Sequence, residues 1–171
     1  MPDVVLKAEH VTKRFGGITA LEDAQLELYK GEVHALVGAN GAGKSTLIKI
    51  ITGAYSSDEG DIYLDGQKVD IKSTFDARAK GISAVYQEFS LINTVSVAEN
   101  IYMGKLLYNN LGPIPRADWK RMNEETQKIL NSLGVKNIKP ETIVGRLSVA
   151  QKQMVEIAKA LAKNAKLLIL D

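Results

Sequence analysis

The sequence predicts an α/β fold, with antiparallel strands beside a strand–loop–helix unit, a mostly helical insertion, and a last apolar strand. Three observations predict it. Gly38-Ala39-Asn40-Gly41-Ala42-Gly43-Lys44-Ser45 fits G-x-x-x-x-G-K-[ST] and lies between an apolar run and a helical run. Asp65-Gly66 joins two short alternating runs, a strong hairpin signal. Leu167-Leu168-Ile169-Leu170 is wholly apolar and is followed by Asp171.

Val4 to Phe15 alternates loosely and reads as a strand closed by Gly16-Gly17. Ala24 to Tyr29 alternates again, and Lys30-Gly31-Glu32 turns the chain into Val33-His34-Ala35-Leu36-Val37, expected to be a buried strand. The helix from Thr46 should stop near Gly53. Phe75 to Lys80 reads as a short helix, and Ile82 to Tyr86 as a strand leading directly into Gln87. Val97 to Met103 looks helical with Ser96 as cap; Gly104 to Pro115 is a loop; Ala117 to Leu133 is a longer helix ended by Gly134. Lys152 to Lys163 is amphipathic, with Met154, Ile157, Ala158 and Leu161 as its apolar stripe. Ser148 and Gln151 match the S/T-x-x-E/Q capping box before it. The expected organisation is 1–90 as core with an antiparallel part, 91–163 as helical subdomain, and 164–171 as the returning core strand.

Glycines at 38, 41 and 43 let the backbone turn tightly and approach an anion closely. The loop amides and the helix N-terminus behind them cradle phosphate oxygens. Lys44 supplies a mobile charge for β- and γ-phosphates, and the Ser45 hydroxyl is placed to ligate Mg²⁺. Asp171, at the end of an apolar strand, suits the same ion or a water on it.

Composition narrows the alternatives. Of 171 residues, 22 are basic and 20 acidic, a net charge of +2 that supports neither a nucleic-acid stripe nor a polybasic membrane arm. There is no cysteine, which excludes disulfides and thiolate chemistry. His10 and His34 are far apart in sequence and suggest no metal cluster; His10 should lie on a strand surface and His34 beside the sheet. No segment approaches the roughly 20 apolar residues of a membrane span. Met1 to Val5 shows no basic region followed by an apolar core, so a cytosolic location is expected.

These residues together resemble the nucleotide-binding domain of ATP-binding-cassette (ABC) transporters, and the resemblance runs from about Val4 to Asp171. Its markers are the P-loop, Gln87-Glu88-Phe89-Ser90-Leu91 as a Q-loop, Leu147 to Gln151 as the signature usually written LSGGQ, the strand ending at Asp171 twenty positions later, and Phe15. The resemblance implies a P-loop NTPase fold of the ABC type with an antiparallel β-subdomain and a helical insertion. It implies ATP and Mg²⁺ as cofactors. Gly38, Asn40, Gly41, Ala42, Gly43, Lys44, Ser45 and Thr46 would hold phosphates. Phe15 would stack on adenine, although it also reads as a core aromatic of the first strand. Ser45, Gln87 and Asp171 would serve the metal and its waters. Ser148, Val149, Ala150 and Gln151 would act in trans on nucleotide bound by a second ABC domain in a head-to-tail dimer. Permease subunits would dock on the helical block, placing the protein peripherally on the inner face of the cell membrane.

The sequence departs from the family pattern twice. Val149 and Ala150 stand where the usual signature has two glycines, and Val149 is bulky and stiff. The wording Leu-Ser-Val-Ala-Gln followed by Met154-Val155-Glu156-Ile157-Ala158-Lys159-Ala160 is similar to the subclass that energises importers of ribose, galactose, xylose and similar sugars. There two cassettes are usually fused, and this would be the first. The family's general-base Glu follows the Asp at 171 and falls outside these residues, so the chain is expected to be an N-terminal piece, incomplete at the C-terminus, that binds nucleotide but hydrolyses it poorly. A soluble clamp for DNA or ribosomes is the other class to weigh. It needs heptad runs or basic linkers, and neither occurs here.

Overall fold

The computed structural model describes residues 3–86, 89–109, 115–162 and 165–171. The chain divides into two compact units, Met1–Ala84 with Asp171 and Val85–Leu170.

The first unit is built on a four-stranded antiparallel sheet in the order β2-β1-β3-β4. β1 (Val4–Phe15) and β2 (Ile18–Tyr29) form a long hairpin over Gly16-Gly17, with Phe15 opposite Ile18. β2 therefore begins six residues earlier than the Ala24 start expected from alternation. The cause lies in its first half, where Glu22 and Asp23 interrupt the alternation and the ladder to β1 shifts register between Ala8 and Arg14. β3 (Glu59–Leu64) and β4 (Gln67–Val69) are the hairpin that Asp65-Gly66 announces. Both turn residues take positive φ, 48° and 76°, as the two-residue turn matching strand twist requires. Leu6, Ala8 and Val11 from β1, Ile62 from β3, and Leu47, Ile50 and Ile51 from α1 (Lys44–Ile51) are buried. α2 (Thr74–Ala79) follows, capped by the Ser73 side chain accepting from the Asp76 amide, and then β5 (Ile82–Val85).

One expectation for this unit fails. Residues 33–37 are neither buried nor a strand; Val33 and Val37 are fully exposed. An apolar run becomes a strand only against a neighbouring ladder, and the sheet β2-β1-β3-β4 does not include this one. His34 likewise does not pack beside the sheet; it is exposed and pairs with Glu32 at 3.3 Å. His10 is exposed on β1, as expected, beside Asp23.

The second unit packs α3 (Val97–Tyr102), α4 (Trp119–Ser132) and α5 (Val149–Leu161) around Val97, Ile101, Met122, Leu130, Ile138, Val144, Val155 and Ala158. α3 carries a complete capping box between Ser96 and Glu99. α4 is capped by Asp118 and begins at Trp119, two residues later than the start expected at Ala117. β6 (Tyr108–Asn109), inside the stretch read as loop, pairs with β7 (Arg116–Ala117), just beyond it where the helix was expected to start. α5 buries Val155, Glu156, Ala158 and Ala160, while Met154, Ile157 and Leu161 of the expected stripe are only half-buried. The buried face is turned because α3 and α4 approach from the side of Val155 and Ala158. β8 (Leu167–Leu170) is the expected strand, but it is half-buried and Leu170 is exposed.

Candidate functional site

The phosphate loop lies at the surface of the first unit, and its shape follows from its glycines. Gly41 and Gly43 have φ of 82° and 85°. Gly43 is the N-cap of α1 in left-handed conformation, with no side chain capping the helix. A Cβ there would come 2.7 Å from Leu21 Cδ1 and 2.8 Å from the Ala20 carbonyl oxygen. The loop thus rests directly on β2, and only glycine fits the approach. The Gly43 carbonyl accepts from Leu47 N–H at 2.9 Å, starting the helical ladder. Among the described residues no side chain caps the first amides of α1, and with the positive end of the helix dipole they suit an anion.

Lys44 curls back over the loop. Its Nζ donates to the carbonyl oxygens of Gly38 at 2.7 Å and Ala39 at 2.8 Å. The ammonium is held over the concave side of the loop by exchangeable bonds, each worth about 1 kcal/mol net. Ser45 follows, exposed, and Thr46 is half-buried. An uncapped helix start, a positioned ammonium and an exposed hydroxyl fit a phosphate chain with its hard, oxygen-seeking cation. Among the described residues no group of three or more His, Cys, Asp or Glu could hold a metal ion.

Phe15 ends β1 with its ring 41% exposed. It does not act as a core aromatic. It meets Tyr55 edge to face, centroids 5.1 Å apart. Lys13 Nζ sits 5.4 Å from the Phe15 centroid, and Lys49 Nζ 5.3 Å from that of Tyr55. Lys13 is fixed by Asp58 at 2.8 Å. Asp58 is held below its ordinary carboxylate range by Lys13 and then by the Arg14 backbone N–H. The result is an exposed aromatic pair flanked by two cations, near the hairpin end that carries Ala20 and Leu21 to Gly43. Nothing in a single sequence marks Tyr55, which follows the α1 terminus with no periodic signal.

Ser148 to Gln151 lie in the second unit. Ser148 is the N-cap of α5; its hydroxyl accepts from the Gln151 N–H at 3.3 Å, and the Gln151 side-chain oxygen accepts from the Ser148 N–H at 2.9 Å. Val149 is 70% exposed and Ala150 is exposed. The helix start is thereby ordered and turned to solvent. Gln87 lies outside the described residues. Asp171 follows β8, is exposed, and groups with the first unit. Sequence reasoning also missed Glu156, a buried carboxylate on α5. Its signal was a lone charge between Val155 and Ile157.

Comparison with known proteins identifies the family and the fold. The model of the ABC transporter family matches residues 21–171. The ribose import ATP-binding protein RbsA of Caldanaerobacter subterraneus is 44% identical over 167 residues, 98% of this chain and 33% of that protein. The RbsA of Hahella chejuensis is 47% identical, over 98% of this chain and 32% of its own length. The xylose import ATP-binding protein XylG of Geobacillus kaustophilus is 42% identical, over 100% and 33%. The chain thus spans about a third of the length of these relatives. Among solved structures, a nucleotide-free ATP-binding cassette from an ABC transporter superposes with TM-score 0.81 at 30% identity, covering 98% of this chain and 68% of that one. An ATP-binding cassette in its ADP conformation gives 0.80 at 30% identity, over 96% and 67%. The fold is therefore that of a P-loop ATPase cassette, and the chain belongs to the ABC transporter family.

Proposed function

We propose that this chain is the nucleotide-binding part of an ATP-driven importer of a monosaccharide. The observation that carries the reading is the left-handed, uncapped Gly43 resting on β2, with the Lys44 ammonium folded over the loop. That arrangement prepares amide dipoles and one cation for a phosphate chain. The printed names of the relatives, ribose and xylose import ATP-binding proteins, support the sugar.

In this reading the amides of residues 38–46 and Lys44 bind the β- and γ-phosphates, and Ser45, Gln87 and Asp171 hold Mg²⁺ and its waters. The Phe15 ring takes the adenine face, with Tyr55 bracing it. The N-terminus of α5, Ser148 to Gln151, meets the γ-phosphate of nucleotide held by a second cassette. Residues 1–90 and 164–171 form the nucleotide-binding core, and 91–163 the arm that faces the permease at the inner surface of the membrane. Val149 and Ala150 keep their N–H groups there, while their side chains add bulk that glycines lack.

Calorimetric titration with MgATP tests the core of the proposal. The expected result is saturable binding, weakened at least about tenfold in Lys44→Ala through loss of a charge-assisted contact. No saturable binding, or equal affinity in the variant, overturns it. Sugar uptake by cells lacking the full-length protein tests the transport assignment; unimpaired uptake of ribose, xylose and galactose removes it.

A further inference from the structure

Glu156 is a carboxylate only 6% exposed, on the helix whose first turn is the signature. Both of its oxygens are engaged by one residue. The Ser90 backbone N–H donates to Oε1 at 2.5 Å, and the Ser90 hydroxyl donates to Oε2 at 3.2 Å. Nearly one turn further along α5, Lys159 Nζ donates to the Ser90 carbonyl oxygen at 3.2 Å and to its hydroxyl oxygen at 2.9 Å. Positions three apart share one helix face, so a single face of α5 grips the amide, the carbonyl and the hydroxyl of Ser90. The following residues are tied down as well. Asn93 accepts from Lys152 Nζ at 2.9 Å through its side chain, and from the Gly145 N–H at 2.8 Å through its carbonyl. Asn100, buried on α3, both donates to and accepts from the Ile92 backbone.

A buried carboxylate is a poor means of adding stability. Its desolvation offsets much of what its bonds return, and an apolar side chain of similar volume does as well or better. Its neighbours Val155 and Ala158 are apolar and fully buried. What Glu156 supplies is direction: two bonds to one residue fix both the position and the rotation of the backbone at Ser90.

We infer that Glu156 is a positioning residue that fastens the chain at Ser90 to the signature helix, so that displacement of one is carried to the other. The inference rests on the roles proposed above for Gln87, three residues upstream, and for Ser148 to Gln151. Glu156 bonds to Ser90, which is not among the residues assigned above to nucleotide or metal. Its loss leaves the P-loop of the first unit intact and acts on the step that brings the α5 N-terminus to bear.

The test uses the full-length protein with its membrane partners. Glu156→Ala is expected to lower kcat for ATP hydrolysis about tenfold or more while KM for ATP stays within about threefold, the pattern of an interaction used after ground-state binding. Glu156→Gln keeps an acceptor for the Ser90 N–H and a donor for its hydroxyl oxygen, and is expected to retain at least about a third of kcat. Hydrogen exchange reads the clamp directly. The Ser90 amide should exchange at least about tenfold faster in Glu156→Ala and within about threefold of wild type in Glu156→Gln. Wild-type kcat in Glu156→Ala, unchanged Ser90 protection, or equal loss in both variants overturns the inference. If Glu156→Ala does not fold, Ser90→Ala removes only the hydroxyl bonds. It should then lower kcat about threefold at constant KM, and wild-type kcat in that variant overturns the inference. A wild-type protein that binds no MgATP refutes the proposed function instead, and the exchange measurement still decides the clamp.

Discussion

Replacing Gly43 by alanine isolates the contact that shapes the phosphate loop. Gly43 has φ 85° and ψ 3°, so any other L-residue sits in the left-handed region at about 1–2 kcal/mol. The added Cβ would also lie 2.7 Å from Leu21 Cδ1 and 2.8 Å from the Ala20 carbonyl oxygen. That oxygen belongs to Ala20, the extra residue of a bulge between the pairs Thr19–Arg14 and Leu21–Lys13, and those pairs on either side limit how far it can move. Overpacking of this kind costs about 1–2 kcal/mol more. Relieving the clash moves the loop, so the total of about 2–4 kcal/mol is expected as a 30- to 1,000-fold rise in Kd for MgATP. Gly41→Ala is the control. Gly41 has φ 82°, but a Cβ there meets nothing within 4 Å. It carries the backbone term alone, about 5- to 30-fold. Calorimetric titration of both variants reads the difference directly. A Gly43→Ala affinity within threefold of Gly41→Ala refutes the claim that contact with β2 sets the loop.

Two stability predictions accompany it. The Thr126 hydroxyl on α4 is buried with no hydrogen-bond partner among the described residues, so Thr126→Val is expected to stabilise the protein by about 1 kcal/mol. Thermal unfolding should show Tm rising about 2–4 °C; a fall in Tm contradicts the reading. The Glu99 carboxyl is held below its ordinary 4.5 by hydrogen bonding with the Ser96 side chain and then its backbone. Its contribution is complete above pH 4.5 and is lost as pH falls through the lower folded value. Urea unfolding of wild type against Glu99→Gln should therefore differ most near neutral pH and converge in acid. A difference that grows in acid goes against it.

Legibility followed how local each signal was. Asp65-Gly66, Gly16-Gly17, the cap at Ser96 and the capping box at Ser148 are decided by a few adjacent residues, and the chain folds there as read. The phosphate loop was legible because its motif is local chemistry; its support by Ala20 and Leu21 was not, because contact across some twenty residues leaves no mark in one sequence. Residues 33–37 misled because apolar content alone does not supply a pairing partner. The stripe of α5 was misplaced because a charged residue, Glu156, occupies a buried position, and sequence patterning assigns charge to the outside. Tyr55 was missed because aromatic pairing with Phe15 depends on where the β1 and α1 ends meet.

The exposed run Val33-His34-Ala35-Leu36-Val37 also bears on how this polypeptide behaves before it is fully assembled. It holds no acidic or basic residue other than one histidine, no proline and two valines, and it stands in water with its amides outside any ladder. Such a segment is a template for edge-to-edge pairing between copies. The flanking hairpins close from short-range contacts, on a microsecond scale. These five residues have no such local partner, so exposed apolar backbone of this kind is where association between copies is expected to begin.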